Sequence, residues 1–470
     1  MNYRLESDSV GEKQVPIDAY YGVQTLRAFE NFNITGRKQP AVIVESLAEI
    51  KKACAITNKK ANDVPAEIAD AIVAACDDIL AGLFHDQFIT DPIQGGAGTS
   101  TNMNANEVIA NIALEKLGKE KGDYKFCHPN DHVNNAQSTN DVYPTALKLA
   151  IYKTGLKLLA KLDELDAALM EKADEFKDIL KIGRTQLMDA VPITLGQEFK
   201  AYASAVKRGK RIIKAALEEM KTVNMAATAI GTGINTSEYF FHHIVEDLAE
   251  VTGIDLVQAE DMVDGTQNID AFSVVSGALK TMAIALSKMA NDIRLMNGGP
   301  KAGLGEITIP AKQNGSSIMP GKVNPVIPEV MNQICYKVIG NDLCVAMSSE
   351  AAQMELNAME PVMAQCCFES AAIMMNGFDT LRINCVDGII ANEEQCDKYI
   401  HSSFGVVTAL NPVIGYKYST RIAKEAMATG KSIYDLVLEH DILSKEDLDT
   451  ILLPENMIKP VKLDIKVKEK

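Results

Sequence analysis

Residues 144–176 read PTALKLAIYKTGLKLLAKLDELDAALMEKADEF. Leu147, Ile151, Leu158, Leu162, Leu165, Leu169 and Phe176 recur at threes, fours and their sums, with Lys, Asp and Glu between them. That spacing draws one apolar seam along a helix of roughly thirty residues, about 45 Å long at 1.5 Å per residue. Such a helix exceeds the ~11–12-residue mean of globular proteins and calls for a bundle or coiled-coil-like partner. Working outward, segments 192–222, 266–297, 325–349 and 361–386 repeat the pattern, with Pro or Thr near their starts. Five long helices with few strand signals predict an elongated bundle. Their Ala- and Met-rich faces imply further subunits, because excess apolar surface must be covered. The chain divides in sequence into a mixed, helical part at 1–140, the bundle at 141–395 and a small helical domain at 396–470. Short helices are expected at 41–60 and 65–84.

Composition agrees with long packed helices. Hydrophobic residues make up 47% of the 470, aromatics 6%, and Trp is absent. A formal charge of −16 gives no steering toward nucleic acid or an acidic membrane, so neither is an expected partner. An anionic substrate would have to be held by local donors against the overall field. Nine cysteines (Cys54, Cys76, Cys127, Cys335, Cys344, Cys366, Cys367, Cys385 and Cys396) include no CxxC pair and read as buried, reduced thiols. The opening MNYRLESDSVGEKQVP has no apolar core of a secretory signal, and no apolar run is long enough for a bilayer. A soluble, cytoplasmic protein is expected.

Four segments are polar where bundle packing gives no reason for polarity. Gly95-Gly96-Ala97-Gly98-Thr99-Ser100-Thr101-Asn102-Met103-Asn104 joins glycines, which permit close backbone approach, to neutral donors suited to a carboxylate. No Lys follows the glycines and no GxGxxG fits, so this is no phosphate loop. Alone it also reads as a polar turn with capping hydroxyls. Asn134-Asn135-Ala136-Gln137-Ser138-Thr139-Asn140-Asp141 runs into the first long helix, where unpaired N–H groups and the helix dipole favour an anion. A plain cap by Asn140 or Asp141 would need one residue, not eight. Gly183-Arg184-Thr185-Gln186-Leu187-Met188-Asp189-Ala190 leads toward a helix expected at Pro192 and alone reads as a structural joint. Asn314-Gly315-Ser316-Ser317-Ile318-Met319-Pro320-Gly321-Lys322-Val323-Asn324-Pro325 ends a stretch with six glycines between 298 and 321. A long, mobile, Gly-hinged connection is expected there, suited to a lid over an anion. Neutral donors and one cation at helix N-termini fit a small dicarboxylate. The seven histidines (85, 128, 132, 242, 243, 401, 440) and the acidic residues show no HExxH or other metal spacing, so no metal ligands are assigned. The residues alone leave the reaction open.

GSSIMPGKVNP at 315–325 resembles the signature loop of the fumarase/aspartase superfamily, and the other three segments resemble its shared blocks in the expected order. The likeness runs almost end to end. It implies a mainly α, three-domain fold in which long helices of four subunits form a twenty-helix core. It also implies a homotetramer whose active sites each draw on three subunits. The chain is more similar to the aspartase branch than to class II fumarases. Thr185-Gln186-Leu187 stands in place of the fumarases' Thr-His-Leu, and Gln186 cannot exchange a proton near neutral pH. Glu329 is kept, and Val326-Ile327-Pro328-Glu329-Val330 and Asn357-Ala358-Met359-Glu360-Pro361 resemble aspartases. Met188 departs from the Gln usual in relatives, which puts a hydrogen bond from that Gln in doubt.

What the resemblance implies is reversible deamination of L-aspartate to fumarate and ammonia, with no cofactor required and divalent-cation activation left open. Carried over by position, Ser316 is the general base for the Cβ proton. Lys322, Asn324 and Thr185 hold the α-carboxylate, while Thr99, Ser138, Thr139 and Ser317 hold the β-carboxylate. Asn140 and Gln186 face the amino group. The nearest rival is class II fumarate hydratase. A rival of another class is a non-catalytic helical scaffold, whose expected mark is loss of Ser316 or Lys322; both are present.

Overall fold

A computed structural model describes residues 2–465; the sequence ends in a charged stretch, KLDIKVKEK at 462–470, whose last five residues lie outside them. The protein is mainly α, 62% helical. The five expected long helices run Thr139–Glu175, Leu195–Glu218, Asp270–Met296, Val326–Glu350 and Glu360–Asn384. The strands form four two-stranded sheets among the described residues. All nine cysteines are free, and eight are buried. No helix among the described residues is long and apolar enough to cross a membrane.

Three boundaries differ from the sequence reading, each for a local reason. The first long helix starts at Thr139, so Pro144 lies inside it. Proline has no N–H to give the carbonyl four residues back. That carbonyl, Asn140 O, accepts instead from Asn224 Nδ2 at 3.0 Å. The second long helix starts at Leu195, because Pro192 belongs to the strand Met188–Thr194. Its start is a reciprocal capping box, Gln197 N to Thr194 Oγ1 and Thr194 N to Gln197 Oε1, both 3.0 Å. The third is preceded by a separate turn of helix, Met262–Gln267, capped by Asp261, before Asp270–Met296 begins. The polar segment at 95–104 also changes character halfway, since Thr99–Lys116 is a helix buried from Thr101 to Leu114.

The chain forms two compact units. One comprises residues 1–160, 209–283 and 335–375; the other comprises 161–208, 284–334 and 376–470. Each long helix contributes residues to both. In the first unit a hairpin pairs Tyr3–Asp8 with Gly11–Pro16, and helices Ala41–Ala61 and Ala66–Leu80 pack on each other and on Glu238–Thr252 or Thr99–Lys116. Helix Val23–Asn31 has no side-chain cap of its own. Glu107, from Thr99–Lys116, caps it instead, accepting from the N–H groups of Gly22, Gln24 and Thr25 at 2.8–3.1 Å. In the second unit the strands Leu180–Thr185 and Met188–Thr194 pair antiparallel. Short helices from Val407 onward gather around Leu410, Ile422, Leu436, Leu448 and Ile451.

Candidate active site

The sequence-derived candidates fall into two groups, one in each unit. In the first unit, Gly96, Ala97 and Gly98 all take left-handed backbone conformations (φ 88°, 53° and 87°) and set Thr99 at the start of its helix. A Cβ on Gly98 would stand 2.2 Å from the ring of buried Tyr143, so only glycine fits that approach. Thr99 is exposed, and its Oγ1 donates to Gly96 O at 2.7 Å. Asn104 is committed to structure: Ile89 N donates to its Oδ1 and its Nδ2 donates to Gln87 O.

Ser138, Thr139 and Asn140 open the first long helix. Ser138 is its cap: Asp141 Oδ1 accepts from Ser138 N at 2.9 Å, and Ser138 Oγ accepts from Asn140 N at 3.2 Å. Asp141 Oδ2 accepts from Thr228 N at 2.9 Å, and Asn140 Nδ2 donates to Ala229 O at 2.7 Å. The helix start is thus tied to the 224–229 segment. Burial pushes the Asp141 carboxyl up to about 7, against the Ser138 and Thr228 N–H groups and Lys51, which pull it down. Behind Thr139 lies a polar network that the sequence did not announce. Lys51, fully buried, donates to Asn134 Oδ1 and Gln137 Oε1, both at 2.8 Å. Asn102 and Asn106 also donate to Asn134 Oδ1, and Asn102 donates to Thr139 Oγ1 at 3.2 Å. Burial draws the Lys51 ammonium down to about 8. Lys51 sits mid-helix beside Lys52 and close to Glu49, where a solvated lysine is the ordinary reading.

In the second unit, the hairpin presents Thr185 and Gln186 at its tip. Thr185 pairs with Met188, leaving Gln186 and Leu187 as a two-residue turn with both residues left-handed (φ 55° and 64°). This is the backbone sign of a type I′ turn, made here without the usual Asn or Gly. Residues 185–189 are exposed, Leu187 and Met188 by 73% and 71%.

The segment expected as a long, mobile connection carries hydrogen bonds of its own between its two ends. Gly315 N donates to Lys322 O at 2.9 Å, and Asn324 Nδ2 donates to Gly315 O at 2.6 Å. A Cβ on Gly315 would fall 2.4 Å from Lys322 O. Asn324 thus spends one amide hydrogen closing the loop. Ser316 is half-buried, and its Oγ accepts two backbone N–H groups, from Ile318 at 3.2 Å and Met319 at 2.9 Å. Ser317 and Lys322 are exposed. Among the described residues no group of three or more His, Cys, Asp or Glu could hold a metal ion.

Residues 11–340 match the lyase family, and residues 406–459 match the fumarase C C-terminus. The chain is 52% identical to the aspartate ammonia-lyase of Bacillus subtilis (strain 168), over 97% of this chain and 96% of that one. It is 49% identical to the aspartate ammonia-lyase of Escherichia coli (strain K12), over 98% and 97%. Among solved structures it is similar to a fumarate lyase:delta crystallin from Brucella melitensis bound to cobalt. There the TM-score is 0.95 at 47% identity, covering 98% of this chain and all of that one. It is also similar to a class II fumarase from Schistosoma mansoni (TM-score 0.92, 35% identity, 97% and 99% covered). With likeness of this extent, and with the superfamily's four polar blocks all present, the chain belongs to the aspartate ammonia-lyase family of the fumarase/aspartase superfamily.

Proposed function

We propose that the chain converts L-aspartate reversibly to fumarate and ammonia, with Ser316 as the base. The observation that carries the proposal is the environment of the Ser316 hydroxyl, which receives two backbone N–H groups of its own loop. A serine is a poor base until its alkoxide is stabilised, and N–H groups aimed at the oxygen do that work. In the proposed step Ser316 Oγ takes the Cβ proton, and the electron pair of the C–H bond moves into the β-carboxylate as an aci-carboxylate. Ser138, Thr139 and Ser317 supply neutral donors for the added charge, each able to contribute ~2.7–4 kcal/mol when preorganised, and Thr99 joins them by turning its hydroxyl away from Gly96 O. Collapse of the aci-carboxylate forms the Cα–Cβ double bond and breaks the Cα–N bond, releasing the substrate's ammonium group, which Asn140 and Gln186 face, as neutral ammonia. Lys322, Asn324 and Thr185 hold the α-carboxylate. The reading includes the three-domain division and a homotetramer, and exposure of Thr99 and the hairpin tip in the single chain supports it. It requires no organic cofactor, and turnover in excess chelator tests a divalent-ion requirement.

The deciding experiment offers the purified protein L-aspartate and L-malate separately and follows fumarate and ammonia. With Gln186 unable to shuttle a proton, L-aspartate is expected to be a good substrate and L-malate a very poor one. Comparable kcat/KM for both would move the assignment to a hydratase.

A further inference from the structure

Arg184 is the last residue before the exposed hairpin tip, and its side chain is fixed. Its Nη1 donates to Glu306 Oε1 at 2.7 Å, and its guanidinium stands 5.3 Å from the Tyr399 ring centroid. Glu306 is fully buried. Its other oxygen faces Lys181 Nζ at 3.2 Å, an ion pair without an aligned hydrogen bond, and Lys181 donates to Glu198 Oε2 at 2.9 Å. One buried carboxylate therefore grips two cations of the same strand, Leu180–Thr185. Glu306 is itself pinned: its N–H donates to Met296 O at 2.9 Å, and its carbonyl accepts from Asn392 N at 2.9 Å. The facing strand is held where Ser403 Oγ donates to Asp189 Oδ2 at 3.0 Å.

Buried ion pairs of this kind add little net stability, because desolvation offsets the attraction. What this one supplies is position. The strand ladder is irregular between Ile182 and Arg184, and the tip turn holds two non-glycine residues in the left-handed region. Backbone pairing alone leaves such a tip poorly fixed. We propose that Glu306 is a positioning residue: through Arg184 it orients the hairpin tip that offers Thr185 and Gln186 to the substrate. The inference rests on the assignment of Thr185 made above.

A double-mutant cycle tests it. Glu306→Gln should lower kcat/KM for L-aspartate ~10²-fold, the cost of a misplaced binding group. Thr185→Ala should lower it in the wild type but by less than about threefold in the Glu306→Gln background, since the tip is already misplaced. A merely structural Glu306 would lower the melting temperature and leave the cost of Thr185→Ala unchanged, which overturns the inference while the Thr185 assignment stands. A silent Thr185→Ala in the wild type overturns the assignment and the inference with it. If Glu306→Gln does not fold because Arg184 loses its counter-charge, the paired Arg184→Gln, Glu306→Gln variant leaves no lone charge there and carries the same cycle.

Discussion

Ser316 and Lys322 share one loop, but the proposal gives them separable work. Ser316→Ala removes the base and leaves the carboxylate grips, so kcat should fall ~10²–10⁴-fold while calorimetry finds aspartate binding little changed. If Ser316 only closes a turn with Ile318 and Met319, alanine will cost a few-fold at most. Retention of more than about a tenth of wild-type turnover therefore reverses the base assignment. Lys322→Ala should weaken dicarboxylate binding and turnover together, because it deletes the cation of the proposed grip. Glu360 poses a different residue-scale question. It is 1% exposed, and neither carboxylate oxygen has a hydrogen-bond partner among the described residues. Burial holds its carboxyl well above the usual carboxylate range, with Lys148 opposing. A group with a raised folded pKa contributes stability that is complete below its ordinary value and is lost as pH rises through the folded value. Glu360→Gln keeps the shape and cannot ionise. The melting temperature of this variant relative to wild type should therefore climb as the pH rises from about 5, just above the ordinary carboxylate range, into the alkaline range. An equal difference at both ends would show that no raised carboxyl is present.

At the scale of elements, the existence of the five long helices was legible because apolar residues at threes and fours leave little choice of period. Their edges were less so, since caps and orphan carbonyls are settled by distant partners. Pro144 looked like a helix start and is an interior residue; the bond it cannot give Asn140 O comes from Asn224, 84 positions beyond Asn140. Asn224→Ala should leave Asn140 O without its donor and cost about 1–3 kcal/mol. In denaturant melts the midpoint should fall with an unchanged slope; an unchanged midpoint would refute this account of Pro144. The Thr194–Gln197 capping box was readable in the sequence, but Pro192 suggested an earlier start. The hairpin escaped notice because Gln186 and Leu187 carry none of the Gly or Asn that marks such turns. The polar blocks that bear the candidate site were visible as polarity without a packing reason. The groups that support them, Lys51 behind Thr139 and Glu306 behind Arg184, were not, because a charged residue reveals itself as buried only in three dimensions.

For the whole molecule, the apolar surface left on a single chain bears on assembly. Along helix Val326–Glu350, Tyr336, Ile339, Leu343 and Met347 follow steps of three, four and four and are all exposed, Leu343 by 64% and Met347 by 66%. Residues at those steps share one helix face, so they form a continuous apolar stripe that the described residues leave largely open to solvent. Val274 and Ile284 on Asp270–Met296 are exposed as well. A monomer rarely leaves such stripes uncovered, and a second copy offers a stripe of matching chemistry. Covering them is the role the proposed tetramer would give these faces. If it is also the unit that turns over substrate, activity and association must fail together. Leu343→Asp with Met347→Asp places two charges in the stripe, where burial without a partner is costly. Sedimentation should then show smaller species at assay concentration, with turnover of L-aspartate lost in step, while circular dichroism still reports a mainly helical chain. A dissociated variant that keeps wild-type turnover would mean that one chain carries a complete site, and the shared-site reading would have to be given up.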